Sequence, residues 1–379
     1  MASANALANA AVIVPLATAA GAASAAYAGH ALLGGGRWRT LLAWFCTAPG
    51  RTSRLLALLF VVLNLKSMPF VWTFRIFGAM IRQTVWKRKP LPPQALFHYA
   101  ITSTRASLLE TDYNFHKSNS TYFSDLDASR THLVTHLFAP GVAVVSRNAQ
   151  TRLVCHPSAD GGGGGNGGNG EGGVPVKGSF GIGLGAVFCS FRKEIAPYQG
   201  YELWSRVLAW DRKWLYVLTH VVVKGKVRPP SWDGQQPTGQ AGGANAKGRH
   251  GTAQIDADLQ PYVIATAVSK YVFKLGRFTV HPTYMFEASD LLPARPGEGW
   301  RGGGPEAVGN PADVDTLVDD DNNDKNDGDN AAPAAWTWKD IERERQRGMA
   351  WAAHLAALDG TSALFDGAKD GALGRFSPG

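Results

Sequence analysis

From residue 98 to residue 279 the chain alternates short apolar runs with polar breaks, except where the spacing changes to three and four. Tyr122, Leu126, Ser129, Leu133 and Leu137 recur at those steps and mark one face of an α-helix. The spacing predicts a helix from about 122 to Phe138. Ser118, Asn119 and Ser120 lie just ahead and offer side-chain oxygens to cap its first turn. Ala139-Pro140-Gly141 predicts its stop, because proline has no N–H to continue the ladder. Apolar runs predict strands at about 98–109, 142–155, 179–196, 200–210, 214–227 and 261–279. One helix among six strands reads as α+β, and the core of about 130 residues is enough for one domain.

Outside that core the composition shifts repeatedly. The chain divides into an N-terminal region at 1–89, a core at 90–290, an acidic linker at 291–333 and a C-terminal helix and tail at 334–379. Two Gly-rich insertions, 159–175 and 229–258, interrupt the core. Neither the run Gly161–Gly173 nor the run Gly178–Gly185 is a phosphate loop. The first lacks a following Gly-Lys-Ser/Thr, and the second leads onward into a strand. The eight Asp between Asp313 and Asp329 lack the spacing of a calcium loop and read as a solvated tether. Beyond it, Trp338, Ile341, Met349 and Ala352 form the stripe by which a last helix would dock on the sheet.

Charge is unevenly placed. The first acidic residue is Glu110, whereas eleven of the 38 Lys and Arg precede it, so the remainder carries 27 basic against 30 acidic side chains. A basic stretch with Trp and Phe suits nucleic acid or lipid, and the run Leu55–Leu63 decides for lipid. Residues 8–34, uncharged and rich in Ala and Gly, are the expected membrane span, and 55–81, interrupted by Lys66 and Arg75, the expected in-plane segment. The positive-inside tendency then puts the core on the cytoplasmic side of the endoplasmic reticulum or another endomembrane. A mitochondrial presequence is the alternative, weakened by the lack of basic residues before Arg37. Cys46, Cys155 and Cys189 fit no disulfide framework, and Cys189 reads as a small buried hydrophobe. His132 and His136 have metal-compatible spacing without a third ligand, so no metal and no cofactor are expected.

The chemistry concentrates in residues 110–130. On an extended chain, residues two apart share a face, which would bring Asp112, Asn114 and His116 to one spot. The free N–H groups of the following helical turn would meet an oxyanion formed beside Asp112. Asp127 and Arg130, three apart, read as an ion pair, and Tyr122 as packing at the helix start.

The pattern Asp112, Asn114, His116, Asn119 and Tyr122, with Asp127-Ala-Ser-Arg130 after it, resembles the signature of hot-dog acyl thioesterases. Residues 201–216 and 267–277 are similar to later strands of the 4-hydroxybenzoyl-CoA-thioesterase-like branch, particularly proteins grouped with thioesterase superfamily member six. The likeness covers roughly residues 95–285, and one departure is Ser118, where family members often carry Asn. It implies an antiparallel sheet wrapped around one long helix, a homodimer, and hydrolysis of acyl-CoA or a related thioester. Asp112, His116 and Asn119 would be catalytic, and Asn114, Ser120, Thr121 and Tyr122 would bind substrate. A non-catalytic acyl- or lipid-binding module and a membrane scaffold are the alternatives.

Overall fold

The computed structural model describes residues 37–85, 91–155, 174–229, 259–293 and 336–364. The predicted span at 8–34, the acidic tether and the bodies of both insertions lie outside them. The described residues fall into two compact units. One comprises 37–78, 105–124 and 195–200, and the other the rest.

The larger unit is built on a sheet. Strands β1 (Ala100–Arg105), β2 (Phe180–Phe191), β3 (Gly200–Trp210), β4 (Trp214–Val223), β5 (Val263–Leu275) and β6 (Phe278–Val280) run in the order β1-β3-β4-β5-β2, with β6 paired to β5. The pairs β3–β4, β4–β5, β2–β5 and β5–β6 are antiparallel. Helices are α1 (Arg37–Thr47), α2 (Arg51–Leu63), α3 (Val71–Val85), α4 (Tyr122–Ser146), α5 (Asn148–Thr151), α6 (Pro282–Glu287) and α7 (Trp338–Ala357). An antiparallel sheet against one long helix is the expected α+β, hot-dog arrangement.

Alternation along β3 and β4 explains why they read as nearly continuous apolar runs. Val207, Trp210, Leu215 and Val217 join Leu133, Leu137 and Phe138 of α4 in one core, while Leu208, Tyr216 and Leu218 join Met349, Ala352 and Leu355 of α7 in another. Both faces are covered, so neither needs to be polar. The N-terminal half of α4 meets the sheet differently. Ser129 Oγ lies 2.8 Å from Ser205 Oγ, which lies 2.8 Å from Thr219 Oγ1, and Arg130 donates to Ser269 Oγ, all buried.

Three expectations fail here. The helix does not stop before Pro140 but runs through it to Ser146. The interior proline costs about 3 kcal/mol, and burial on both sides of it offsets this: Phe138, before it, stacks on Phe286 at 5.3 Å, and Val145, after it, is fully buried. Gly141 permits the contact with α6 and the residues after it, since a Cβ there would lie 2.8 Å from Met285 O and 2.4 Å from Ser289 Oγ. Consequently 142–155 is not a strand; it is the end of α4, then α5 and a single bridge from Cys155 to Pro175. The run 261–279 also divides, at Gly276, whose φ of 59° turns β5 into β6.

Helix α7 begins with a capping box between Thr337 and Asp340 and buries Ile341, Arg345, Gly348 and Met349. A Cβ on Gly348 would stand 1.9 Å from Leu208 O, which is backbone and cannot swing aside. Gly348→Ala is therefore expected to lower unfolding free energy by about 2 kcal/mol or more, read as a shift of the denaturant midpoint. An unchanged midpoint would mean that α7 does not pack on β3 in solution.

In the smaller unit, α2 has no buried residue although Leu55–Leu63 is entirely apolar. The expected in-plane segment comprises two helices joined by a turn at 64–70. Among the described residues, no helix is long and apolar enough to cross a membrane. Asn64 at the end of α2 accepts the Leu109 N–H at 3.0 Å, and the Ser67 and Ser107 hydroxyls lie 2.6 Å apart.

Candidate active site

Residues 111–117 form a tight turn and not the extended segment that alternation suggested. Thr111 and Lys117 bridge its base, the Asp112 N–H donates to His116 O at 2.9 Å, and the Phe115 N–H donates to Asp112 O at 3.1 Å. The Asp112 carboxylate accepts the Asn114 N–H at 2.9 Å, an Asx turn that suits aspartate. Phe115 completes the reversal with φ of 59°, a conformation unusual for an aromatic residue. Asp112 and His116 thus face each other across the neck of the turn, both half-buried, while Asn114 stands exposed at its tip.

After Lys117 the chain enters a 3-10 turn, Asn119–Thr121, which leads into α4. The expected side-chain caps are not made. Ser118 Oγ lies 3.1 Å from Ser120 Oγ, and Thr121 Oγ1 donates to Ser118 O at 2.7 Å. The N–H groups of Thr121 and Tyr122 are already bonded to carbonyls of Ser118, Asn119 and Ser120. The turn therefore has only its first amides, those of Asn119 and Ser120, without an acceptor inside it. Tyr122 is buried at 2% exposure, its ring 5.3 Å from Lys117 Nζ, so it packs beneath the turn instead of opening to a ligand.

A buried ionic cluster supports this turn. Glu110 Oε2 accepts Lys66 Nζ at 2.9 Å, meets Lys117 Nζ at 3.3 Å and takes the Ser107 N–H at 3.0 Å. Glu110 O also accepts the Ser118 N–H at 2.8 Å, and the Lys117 N–H donates to Ile195 O at 2.8 Å. The sequence reading missed both Glu110 and Lys66. Their only signals were that one is the first acid of the chain and the other an interruption in an apolar segment.

Within the larger unit, the first turn of α4 carries Asp125, which accepts the Tyr201 hydroxyl at 2.5 Å, both buried. Neither residue was singled out from the sequence. Asp127 and Arg130 pair at 2.6 Å as expected. Lys270, on β5, is buried and bound to Asp359 at 2.5 Å. Cys189 is half-buried and not fully buried. Its thiol is pushed up to about 11 by burial, with the Arg130 charge opposing, so it is protonated at neutral pH and is no nucleophile. Among the described residues, no three His, Cys, Asp or Glu side chains form a metal-holding group.

No family model matches the chain. Over 331 residues it is 32% identical to the probable thioesterase atnL of Emericella nidulans, an alignment covering 84% of this chain and 90% of that protein. The chain belongs to this thioesterase family. The enzyme is also 31% identical over 332 residues to thioesterase poxG of Penicillium oxalicum, covering 83% of the one and 87% of the other. A probable thioesterase of Saccharomyces cerevisiae, YBR096W, shares 34% identity with it over 128 residues, 34% of this thioesterase and 42% of the yeast protein. Among solved structures, the BH1999 gentisyl-coenzyme A thioesterase aligns with half of the chain and 99% of its own, at 12% identity and a TM-score of 0.28.

Proposed function

We propose that this thioesterase hydrolyses acyl-CoA or a related acyl thioester at the turn 112–121. The observation that carries the reading is the Asx turn of Asp112 followed within one bridge by the 3-10 turn. In the reaction, Asp112 takes a proton from water as its oxygen bonds to the thioester carbonyl. The carbonyl oxygen gains charge, for which the Asn119 and Ser120 amides are the donors. The C–S bond then breaks, and the thiolate leaves with the coenzyme and takes up a proton. His116, tied to Asp112 through the backbone, orients the water. Asn114, Ser120 and Thr121 contact substrate around it.

Attack by the Asp112 carboxylate itself is the other route, through a mixed anhydride that water then cleaves at the aspartyl carbonyl. One turnover in oxygen-18 water separates the two. Direct water attack puts the label in the released acid, whereas the anhydride route puts it in Asp112 and leaves the acid unlabelled. Label in neither place would remove Asp112 from the chemistry.

The protein is proposed to act as a homodimer attached by residues 1–89 to the cytoplasmic side of the endoplasmic reticulum or another endomembrane, with mitochondria as the alternative. The dimer reading is supported by β2, which among the described residues pairs with β5 alone and carries exposed Ile182, Leu184 and Phe188. A twelve-residue apolar edge is a template for a second strand. Phe188→Lys is expected to convert dimer to monomer in analytical sedimentation; a protein monomeric before the change would contradict the assignment. Non-catalytic acyl binding remains the second reading, because Ser118 replaces an amide and spends its hydroxyl on Ser120.

A further inference from the structure

The smaller unit joins two features that the reaction does not use. The first is unburied apolar surface. Leu56, Val62 and Phe74 are 61, 58 and 66% exposed, and α2 buries nothing at all. The second lies on the site turn itself, where Tyr113 and Phe115 are 89 and 73% exposed on either side of Asn114. A left-handed backbone at Phe115 costs about 1 kcal/mol or more, and a ring so largely exposed returns little for it. Phe70, between α2 and α3, repeats the arrangement with φ of 65° and 75% exposure.

These surfaces belong to one compact unit. The connector after α2 is fastened to the segment before the turn by Asn64 to Leu109, Ser67 to Ser107, and Lys66 to Glu110, the carboxylate that Lys117 also meets. These bonds tie the segment that leads into the Asp112 turn to the end of α2. Charge selects the occupant. No acid precedes Glu110, while Arg39, Arg51, Arg54 and Arg75 are spread along these helices. An apolar face with an acid-free basic border fits the interface of an anionic bilayer, and helices too short to span lie in its plane.

We propose that α2, the start of α3 and the aromatic tip of the Asp112 turn enter one anionic lipid surface together, so that the enzyme takes its acyl thioester from the bilayer. The substrate class is accordingly a long-chain, membrane-partitioned acyl thioester and not a short water-soluble one. This rests on the thioesterase reading above, and the test separates the two.

The test uses the full chain with Tyr113→Ser and Phe115→Asn together, asparagine being tolerant of the left-handed backbone, and Phe74→Ser as a second variant remote from the turn. Each is checked for an unchanged melting transition and for co-sedimentation with phosphatidylcholine vesicles with and without phosphatidylserine. Binding to the anionic vesicles is expected to fall about tenfold in each variant. Hydrolysis of vesicle-bound palmitoyl-CoA is expected to fall by a similar factor in each, while Phe74→Ser, which lies outside the site turn, keeps butyryl-CoA hydrolysis in solution within about twofold of the parent. If the parent hydrolyses neither substrate, the thioesterase reading fails, yet the vesicle arm still decides the docking. Undiminished vesicle binding by the turn variant overturns the proposal. So does a variant that binds vesicles normally but loses self-association, since its aromatics would then face a second copy of the chain.

Discussion

Asp112→Asn is expected to lower thioester hydrolysis by at least ~100-fold, the usual contribution of a general base, while the protein keeps its melting transition. The amide can still accept the Asn114 N–H through its side-chain oxygen, as the carboxylate does at 2.9 Å, so the turn is retained. It cannot take a proton from water. Steady-state thiol release measures the change, and an unaltered rate in the folded variant removes Asp112 from catalysis. His116→Ala should cost less, because its contact with Asp112 is made by its backbone carbonyl, which the substitution leaves in place.

Glu110→Ala is expected to destabilise the protein by about 3 kcal/mol, the cost of removing one member of a buried ion pair. Lys117 has no side-chain exposure and Glu110 only 7%, so the ammonium cannot turn to water when the carboxylate goes. The same change removes the carboxylate that accepts from Lys66, which also donates to Arg105 O at 3.2 Å, and from the Ser107 N–H, loosening the connector as well as the turn. Denaturant unfolding reads the loss. Replacement of both Glu110 and Lys117 by residues of similar volume should recover much of it, and equal stability of Glu110→Ala and the parent would show that the cluster does not form.

Much of the fold was legible because its signals are local. The step of four and three placed α4, and the apolar runs placed β2, β3 and β4 close to their observed bounds. What failed was decided by distant partners. Pro140 is a stop in isolation, yet Gly141 lies against α6, nearly 150 residues away in sequence. Val142–Val145 has the composition of a strand and is helical because Val145 is needed in the core. At the site, the motif drew attention to the segment 112–122, but alternation implied an extended chain where an Asx turn folds it back. Hydrogen-bonding side chains near Ser118 looked like caps and instead bond to one another and to the local backbone. The Lys66–Glu110 pair spans 44 residues, and nothing in the spacing of either announces it.

The most direct test of the central claim is thiol release by purified full-length protein from acyl-CoA of several chain lengths, presented in anionic vesicles, with Asp112→Asn alongside. The account predicts turnover that rises toward long chains in the parent and is lost in the variant. Acyl-CoA that binds but is never cleaved by the parent, at any chain length, would contradict it and leave a lipid-binding protein in its place.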